Sequence, residues 1–219
     1  MKDKFLANFV EDCIYHVYNR TNNKELLFKT DENRLFFLRQ YAKYLEPYLD
    51  TFCWTLLPNH FHFLIRVKNN EDIKNYLKTV PIEKLKPPEK KYLENDVTTE
   101  LLIEFEWKRF LTSYSMAFNK QHQRNGNLFH RPFKRVLVNK ESYFTQTIIY
   151  IHANAFKHGV CKDFKKYIWS SWKSITSYGP TKLCRQEVLD WFGGRENFIE
   201  THTALTQFYY NGVSRIDED

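Results

Sequence analysis

Residues 51–67 constrain this chain more than any other stretch, because two apolar, β-forming runs, Thr51 to Leu57 and His60 to Val67, flank Pro58-Asn59. Proline cannot donate to a strand ladder and asparagine tolerates turn conformations, so the stretch is predicted to fold as a hairpin closed by a tight turn. Strand side chains alternate between faces. His60 and His62 therefore share one face, while Phe61, Phe63 and Ile65 pack on the other. Two imidazoles one residue apart make a metal clip in strand form, although two packed polar residues meet the same spacing. Two nitrogens alone hold a divalent ion weakly, so a further ligand and an acting group must come from elsewhere.

The flanking sequence supplies a fold for the hairpin. Cys13 to Asn19 alternates and reads as a first strand, and Asp31 caps a helix with Leu35, Phe36, Leu38, Tyr41, Ala42 and Leu45 at helical spacing, ending near Pro47. Asn69 to Glu100 is highly charged and carries Pro81, Pro87 and Pro88, so it is read as an insertion or mobile connector with a short helix over Ile73 to Val80. Leu101 to about His122 is a long helix with Leu102, Phe105, Phe110, Tyr114, Ala117 and Phe118 on its apolar side. Arg135 to Asn139 is a fourth strand, and a helix from Lys140-Glu141-Ser142 to about Lys157 is closed by Gly159. Strand, helix, strand, strand, helix, strand is the order of a ferredoxin-like α+β fold. There an antiparallel sheet carries two helices on one face and leaves the other face for a site. Residues 8–159 are expected to form this domain, with the charged insertion at about 69–100. Residues 160–219 are expected to form a mainly helical C-terminal extension that includes Gln186 to Phe192 and Asn197 to Phe208.

Net charge is +7, and its distribution matters more than its size: residues 101–158 carry nine Lys and Arg against three Asp and Glu, and so hold +6 of it. Such a concentration suits a polyanion-binding surface. From Lys120 to Lys140 there is no acid, and Lys120, Arg124, Arg131, Lys134, Arg135 and Lys140 alternate with His122, Phe129, His130 and Phe133. Basic groups neutralise phosphates while aromatic rings stack on unpaired bases. The four cysteines have no Cys-x-x-Cys spacing and are expected to be free thiols. No apolar run approaches membrane-spanning length and the N-terminus lacks a secretory core, so a cytoplasmic protein is expected.

Several pieces in register resemble the single-tyrosine HUH (His-hydrophobic-His) transposases, and within them the REP-associated tyrosine transposases. Tyr15-His16-Val17-Tyr18-Asn19-Arg20 looks like the family's first strand, Pro58-Asn59-His60-Phe61-His62 its metal motif, and Thr112-Ser113-Tyr114 with Phe118-Asn119 its tyrosine helix. Gly126-Asn127-Leu128-Phe129 with Arg131-Pro132-Phe133-Lys134 is similar to its basic loop, and Tyr150-Ile151-His152-Ala153-Asn154 to its next helix; Trp169-Ser170-Ser171-Trp172 also looks familial. The resemblance implies a metal-dependent transposase and nuclease that cleaves and rejoins single-stranded DNA at hairpin-containing sites through a 5′-phosphotyrosine intermediate. Carried over, His60 and His62 bind Mg²⁺ or Mn²⁺ and Tyr114 attacks the scissile phosphate. Related transposases place a glutamine ligand one turn after the tyrosine, where this chain has Phe118. Asn119 is therefore the expected third ligand, ahead of Gln121 and His122. Tyr18, Tyr143 and Tyr150 are set aside as decoys, and His16 is assigned to packing or support. Lys120, Arg124, Arg131, Lys134 and Arg135 are the expected nucleic-acid-binding residues.

Two other readings compete. One is a non-catalytic, ferredoxin-like protein that grips hairpin DNA or RNA with vestigial histidines. The other is relaxase chemistry, which fits less well because relaxases commonly use a third histidine and an N-terminal tyrosine. Monomers are expected, by resemblance to the REP-associated branch, with a homodimer as the alternative.

Overall fold

The computed structural model describes residues 5–210, so Met1–Lys4 and residues 211–219 of the expected extension lie outside the described residues. Four strands, β1 (Ile14–Arg20), β2 (Leu49–Leu56), β3 (His60–Val67) and β4 (Lys134–Val138), form one sheet in the order β2-β3-β1-β4. All neighbours are antiparallel, with Tyr18 opposite His62 and Lys134, and Thr55 opposite His62 from β2. This is the ferredoxin-like arrangement that the element order predicts.

Helices α1 (Asp31–Tyr44) and α4 (Thr99–Gln121) cover one face. Thr30 rather than Asp31 caps α1: its hydroxyl accepts from Asn33 N, and Asn33 Oδ1 accepts from Thr30 N in return, leaving Asp31 in the acid-favouring first turn. Val17, Phe61, Phe63 and Ile65 of the sheet bury against Phe37, Trp107, Phe110 and Tyr114 of these helices. Tyr41 stacks on Phe63 with centroids 4.2 Å apart.

The charged insertion is not a connector. It forms α2 (Asn70–Thr79) and α3 (Pro87–Leu93), and Ile73, Leu77, Leu85 and Tyr92 enter the same core. Pro87, read as a breaker, stands at the start of α3, where its missing N–H costs nothing. The insertion is also tied by charge. Tyr48 Oη donates to Glu89 Oε1 at 2.8 Å, and Arg109 Nη1 reaches both Glu89 Oε1 (3.2 Å) and Glu106 Oε1 (2.8 Å). Two carboxylates share one guanidinium, and burial, opposed by Arg109, pushes Glu106 up to about 7. A raised folded-state value means that this contribution to stability is lost as pH climbs from the ordinary carboxylate range through about 7. Glu106→Gln, which keeps an acceptor for Arg109, is expected to remove that component. Urea denaturation at pH 5 and pH 8 checks it: the variant should gain on wild type only at the higher pH.

The second sheet face carries α5 (Glu141–Lys157), followed by α6 (Trp172–Thr176), α7 (Arg185–Trp191) and α8 (Arg195–Tyr210). Phe52, Cys53 and Leu64 of the sheet pack with Phe144, Ile148 and Ile151 of α5 and with Trp172, Ile175, Val188 and Phe198 of the extension. Burial all round α5, from Thr147 to Ala155, records this double cover. The four cysteines are free, and no described helix is long and apolar enough to cross a membrane.

Candidate active site

Strand parity places the site. His16 and Tyr18 of β1, His62 of β3 and Lys134 of β4 lie on the α5 face, and their rings form a near-parallel stack: His16 and Tyr18 at 4.8 Å, Tyr18 and His62 at 5.4 Å, His16 and His62 at 5.1 Å. His16 Nε2 lies 2.9 Å from His62 Nδ1, so one proton is shared between the two rings. If His62 donates it, His62 Nε2 presents a lone pair, and that atom is buried with no hydrogen-bond partner. His60 Nδ1 lies 2.7 Å from Asn59 Oδ1; a carbonyl oxygen can only accept, so His60 Nδ1 carries the proton and Nε2 is left as a donor to a ligand. Burial pushes His16 down to about 3, and burial with the neighbouring His158 takes His60 to about 4. His62 is also driven far below its ordinary value by burial and by His16. All three are neutral imidazoles, the form that ligates metal.

Helix α5 brings the remaining groups. Its ring of Tyr150 stands edge-on to His62 at 5.9 Å and to His16 at 6.0 Å, and the buried amide of Asn154, one turn later, faces His60. Tyr150 and Asn154 fall on one stripe of the helix, about 40° apart at 100° per residue. At the C-terminal end Lys157 lies 5.0 Å over the Tyr150 ring, and exposed His158 meets His60 with ring centroids 5.0 Å apart. The donor set fits a divalent cation: His60 Nε2, His62 Nε2 and the Asn154 amide oxygen. Among the described residues no three His, Cys, Asp or Glu side chains form such a group.

The basic loop reaches the same end of the sheet. His130 N donates to Arg20 O at 2.9 Å, Asn22 N to Leu128 O at 2.9 Å, and Asn19 Nδ2 to His130 O at 3.0 Å, while Arg20 stands opposite His60 in register. Half-buried Lys134, whose ammonium lies 5.8 Å over the Tyr18 ring, flanks the histidine face, whereas exposed Arg131 lines a cleft beside α4 with Glu104 and Lys108.

This sheet, hairpin and helix arrangement matches a solved structure described as the REP-associated tyrosine transposase bound to a REP hairpin, with a TM-score of 0.55 over 82% of this chain and 87% of that one, at 13% identity. The chain has the fold of a REP-associated tyrosine transposase. Neither the family models nor the sequences of curated proteins give a match.

Several expected site residues lie elsewhere in this transposase-like fold. Tyr114 is on α4, on the opposite face of the sheet from the histidines; it is 1% exposed, its hydroxyl donates to Leu27 O at 2.7 Å, and burial raises it far above an ordinary phenol. The structure does not bring it to His60 and His62. Asn119 is also remote: its Nδ2 donates to Gly126 O and its Oδ1 accepts from Arg124, so it holds the loop. Gln121 accepts from Asn33, and His122 packs on Phe118. Arg124 is spent on Glu25 at 2.6 Å and on the carbonyl of Asn127, and Lys120 is exposed on α4. Arg135, 7% exposed, points to the α4 face, where it pairs with Glu104 and stacks on Phe9. Lys134 remains near the site, and Arg131 stays exposed on the loop. Arg131→Ala and Lys134→Ala are expected to weaken binding to a nucleic-acid polyanion and each to reduce its salt slope by about one, whereas Arg135→Ala is expected to cost about 2 kcal/mol of stability. Titrations at several salt concentrations and thermal melts separate the two effects.

Proposed function

We propose that the chain is a DNA strand transferase that cleaves and rejoins single-stranded DNA beside hairpins, with Tyr150 as the nucleophile. The observation that carries this reading is the convergence of Tyr150 and Asn154, on successive turns of α5, upon His60 and His62. The likeness to a hairpin-bound transposase supports the substrate class. The roles that resemblance gave to Tyr114 and Asn119 pass to Tyr150 and Asn154, which stand one helical turn apart on the histidine face, whereas Tyr114 and Asn119 do not share that face.

In this reading Arg131 and Lys134 grip phosphates of the hairpin foot, and Lys157 yields its place over the Tyr150 ring as the scissile phosphate enters. The Tyr150 oxygen bonds to phosphorus, the bond to the 3′-oxygen breaks, and the proton that leaves the phenol ends, through solvent, on that departing oxygen, so that a free 3′-hydroxyl and a 5′-phosphotyrosine result. The bond energy is retained for rejoining. Mg²⁺ or Mn²⁺ held by His60, His62 and Asn154 would neutralise the non-bridging phosphate oxygens. His16 fixes the tautomer in which His62 Nε2 is a ligand.

Enclosure of Tyr150, which is 0% exposed, favours a second reading in which the domain binds hairpins without cutting them. The test is incubation with single-stranded DNA from the flanks of its own gene, with and without Mn²⁺, followed by denaturing gels and mass spectrometry of the adduct peptide. A Mn²⁺-dependent adduct on Tyr150 supports the transferase. Salt-sensitive binding with intact DNA supports the binding module.

A further inference from the structure

The side of α5 turned away from the histidines carries a buried chain of hydrogen bonds that the reaction does not use. His202 Nδ1 lies 2.7 Å from Phe198 O, and since a carbonyl only accepts, His202 carries its proton there and Nε2 is an acceptor. His152 Nδ1, 3.0 Å from that Nε2, must then be the donor, which leaves His152 Nε2 to accept from Ser171 Oγ at 2.8 Å. Ser171 Oγ in turn accepts from Trp54 N of β2 at 2.9 Å. The proton order is thus fixed along the whole chain. Every ring in it is neutral, and His152, Ser171 and His202 are all fully buried.

We propose that this chain, from Trp54 of β2 through Ser171 and His152 to His202 of α8, is a positioning device that fixes the roll of α5 and so the aim of Tyr150 and Asn154. Apolar packing is non-directional and lets a helix turn about its axis, whereas hydrogen bonds set an angle. His152 is two residues from both Tyr150 and Asn154, about 200° around the helix from each, so its ring is the handle on the far side. Trp172 and Phe198 wall that ring at 5.8 and 6.0 Å and keep water from replacing the missing partners. The C-terminal extension is then part of the site, although none of the three residues touches a reacting atom.

This inference rests on Tyr150 and Asn154 being the reacting and ligating groups, and the test separates the two ideas. His202→Leu removes the acceptor for His152 while keeping bulk, His202→Gln restores an acceptor, and Ser171→Ala breaks the chain from the other end. Each is compared with wild type below its melting temperature for Mn²⁺ affinity, adduct rate, hairpin affinity and the ¹⁹F resonance of 3-fluorotyrosine at position 150. His202→Leu and Ser171→Ala are expected to slow adduct formation and weaken Mn²⁺ binding by about tenfold or more, to move the ¹⁹F line, and to leave hairpin affinity within about twofold. His202→Gln is expected to recover most of the loss. Equal losses in His202→Leu and His202→Gln, or an unmoved ¹⁹F line in His202→Leu, overturn the proposal. If wild type forms no adduct the transferase reading fails, and the ¹⁹F line still decides whether the chain sets the helix.

Discussion

Tyr150→Phe is expected to abolish the covalent protein–DNA adduct proposed above, a loss of at least about 10³-fold, while Tyr114→Phe is expected to form it at close to the wild-type rate. The two substitutions remove the same atom from opposite sides of one sheet. At position 150 the lost hydroxyl belongs to a ring 5.9 Å from the His62 ring and on the same helical stripe as Asn154. At position 114 it belongs to a side chain locked among Phe28, Phe36 and Phe37, bonded to Leu27 O. Breaking that bond costs about 1 kcal/mol, or a melting temperature lower by about 2–4 °C, with no route to the chemistry. Hairpin binding should survive both changes, since neither touches Arg131 or Lys134. Adduct formation that persists in Tyr150→Phe and disappears in Tyr114→Phe would return the nucleophile to α4.

Acid should unfold this protein early. His16 and His202 are pushed down to about 3, His60 to about 4, and His62 and His152 also lie well below their ordinary value, in each case chiefly through burial. A base whose folded-state value is depressed binds fewer protons folded than unfolded, so its contribution is intact above the unfolded value near 6.5 and is lost as pH falls below it. By pH 5 each such histidine costs about 2 kcal/mol. The bonded pairs His16–His62 and His152–His202 titrate together, and counting one histidine per pair still gives about 4 kcal/mol, a large part of a typical folding free energy of about 5–15 kcal/mol. Glu106 acts in the opposite sense and offsets only part of this. Urea denaturation without divalent metal, at half-unit steps from pH 7 to 4.5, should show the fall beginning near 6.5. A flat profile down to pH 5 would mean that the paired imidazoles do not carry this cost.

Much of the architecture was legible because it rests on periodicity. The hairpin around Pro58-Asn59, the two long helices and the two tail helices repeat every 2 or 3.6 residues, and each formed within a few residues of its expected bounds. The charged insertion misled because its apolar residues are few; Ile73, Leu77, Leu85 and Tyr92 reach the core from short pieces whose period is too brief to read. The site was half legible. Alternation separated His60 and His62 from Phe61 and Phe63, and the same alternation would have disqualified α4: in this strand order its helix must lie on the phenylalanine face with α1. Lys134 and Arg135 divide by the same rule, one to the histidine face and one into an ion pair with Glu104. Tyr150 and Asn154 stood in the sequence one helical turn apart, on the helix that follows the fourth strand. The hydrogen-bond chain through His152 and His202 joins residues 50 apart by a tertiary contact that no local pattern encodes.

The double cover of α5 also orders events in time. Ribosomes release the chain from its N-terminus, and when Gly159 has emerged every strand and α5 itself are present, yet His152 has neither Ser171 nor His202 to bond. A nascent or prematurely ended chain of that length carries the sheet and the helix but not the partners that hold the helix in place. Until α8 is made, α5 can pack on the sheet but lacks the directional bonds of His152 to Ser171 and His202.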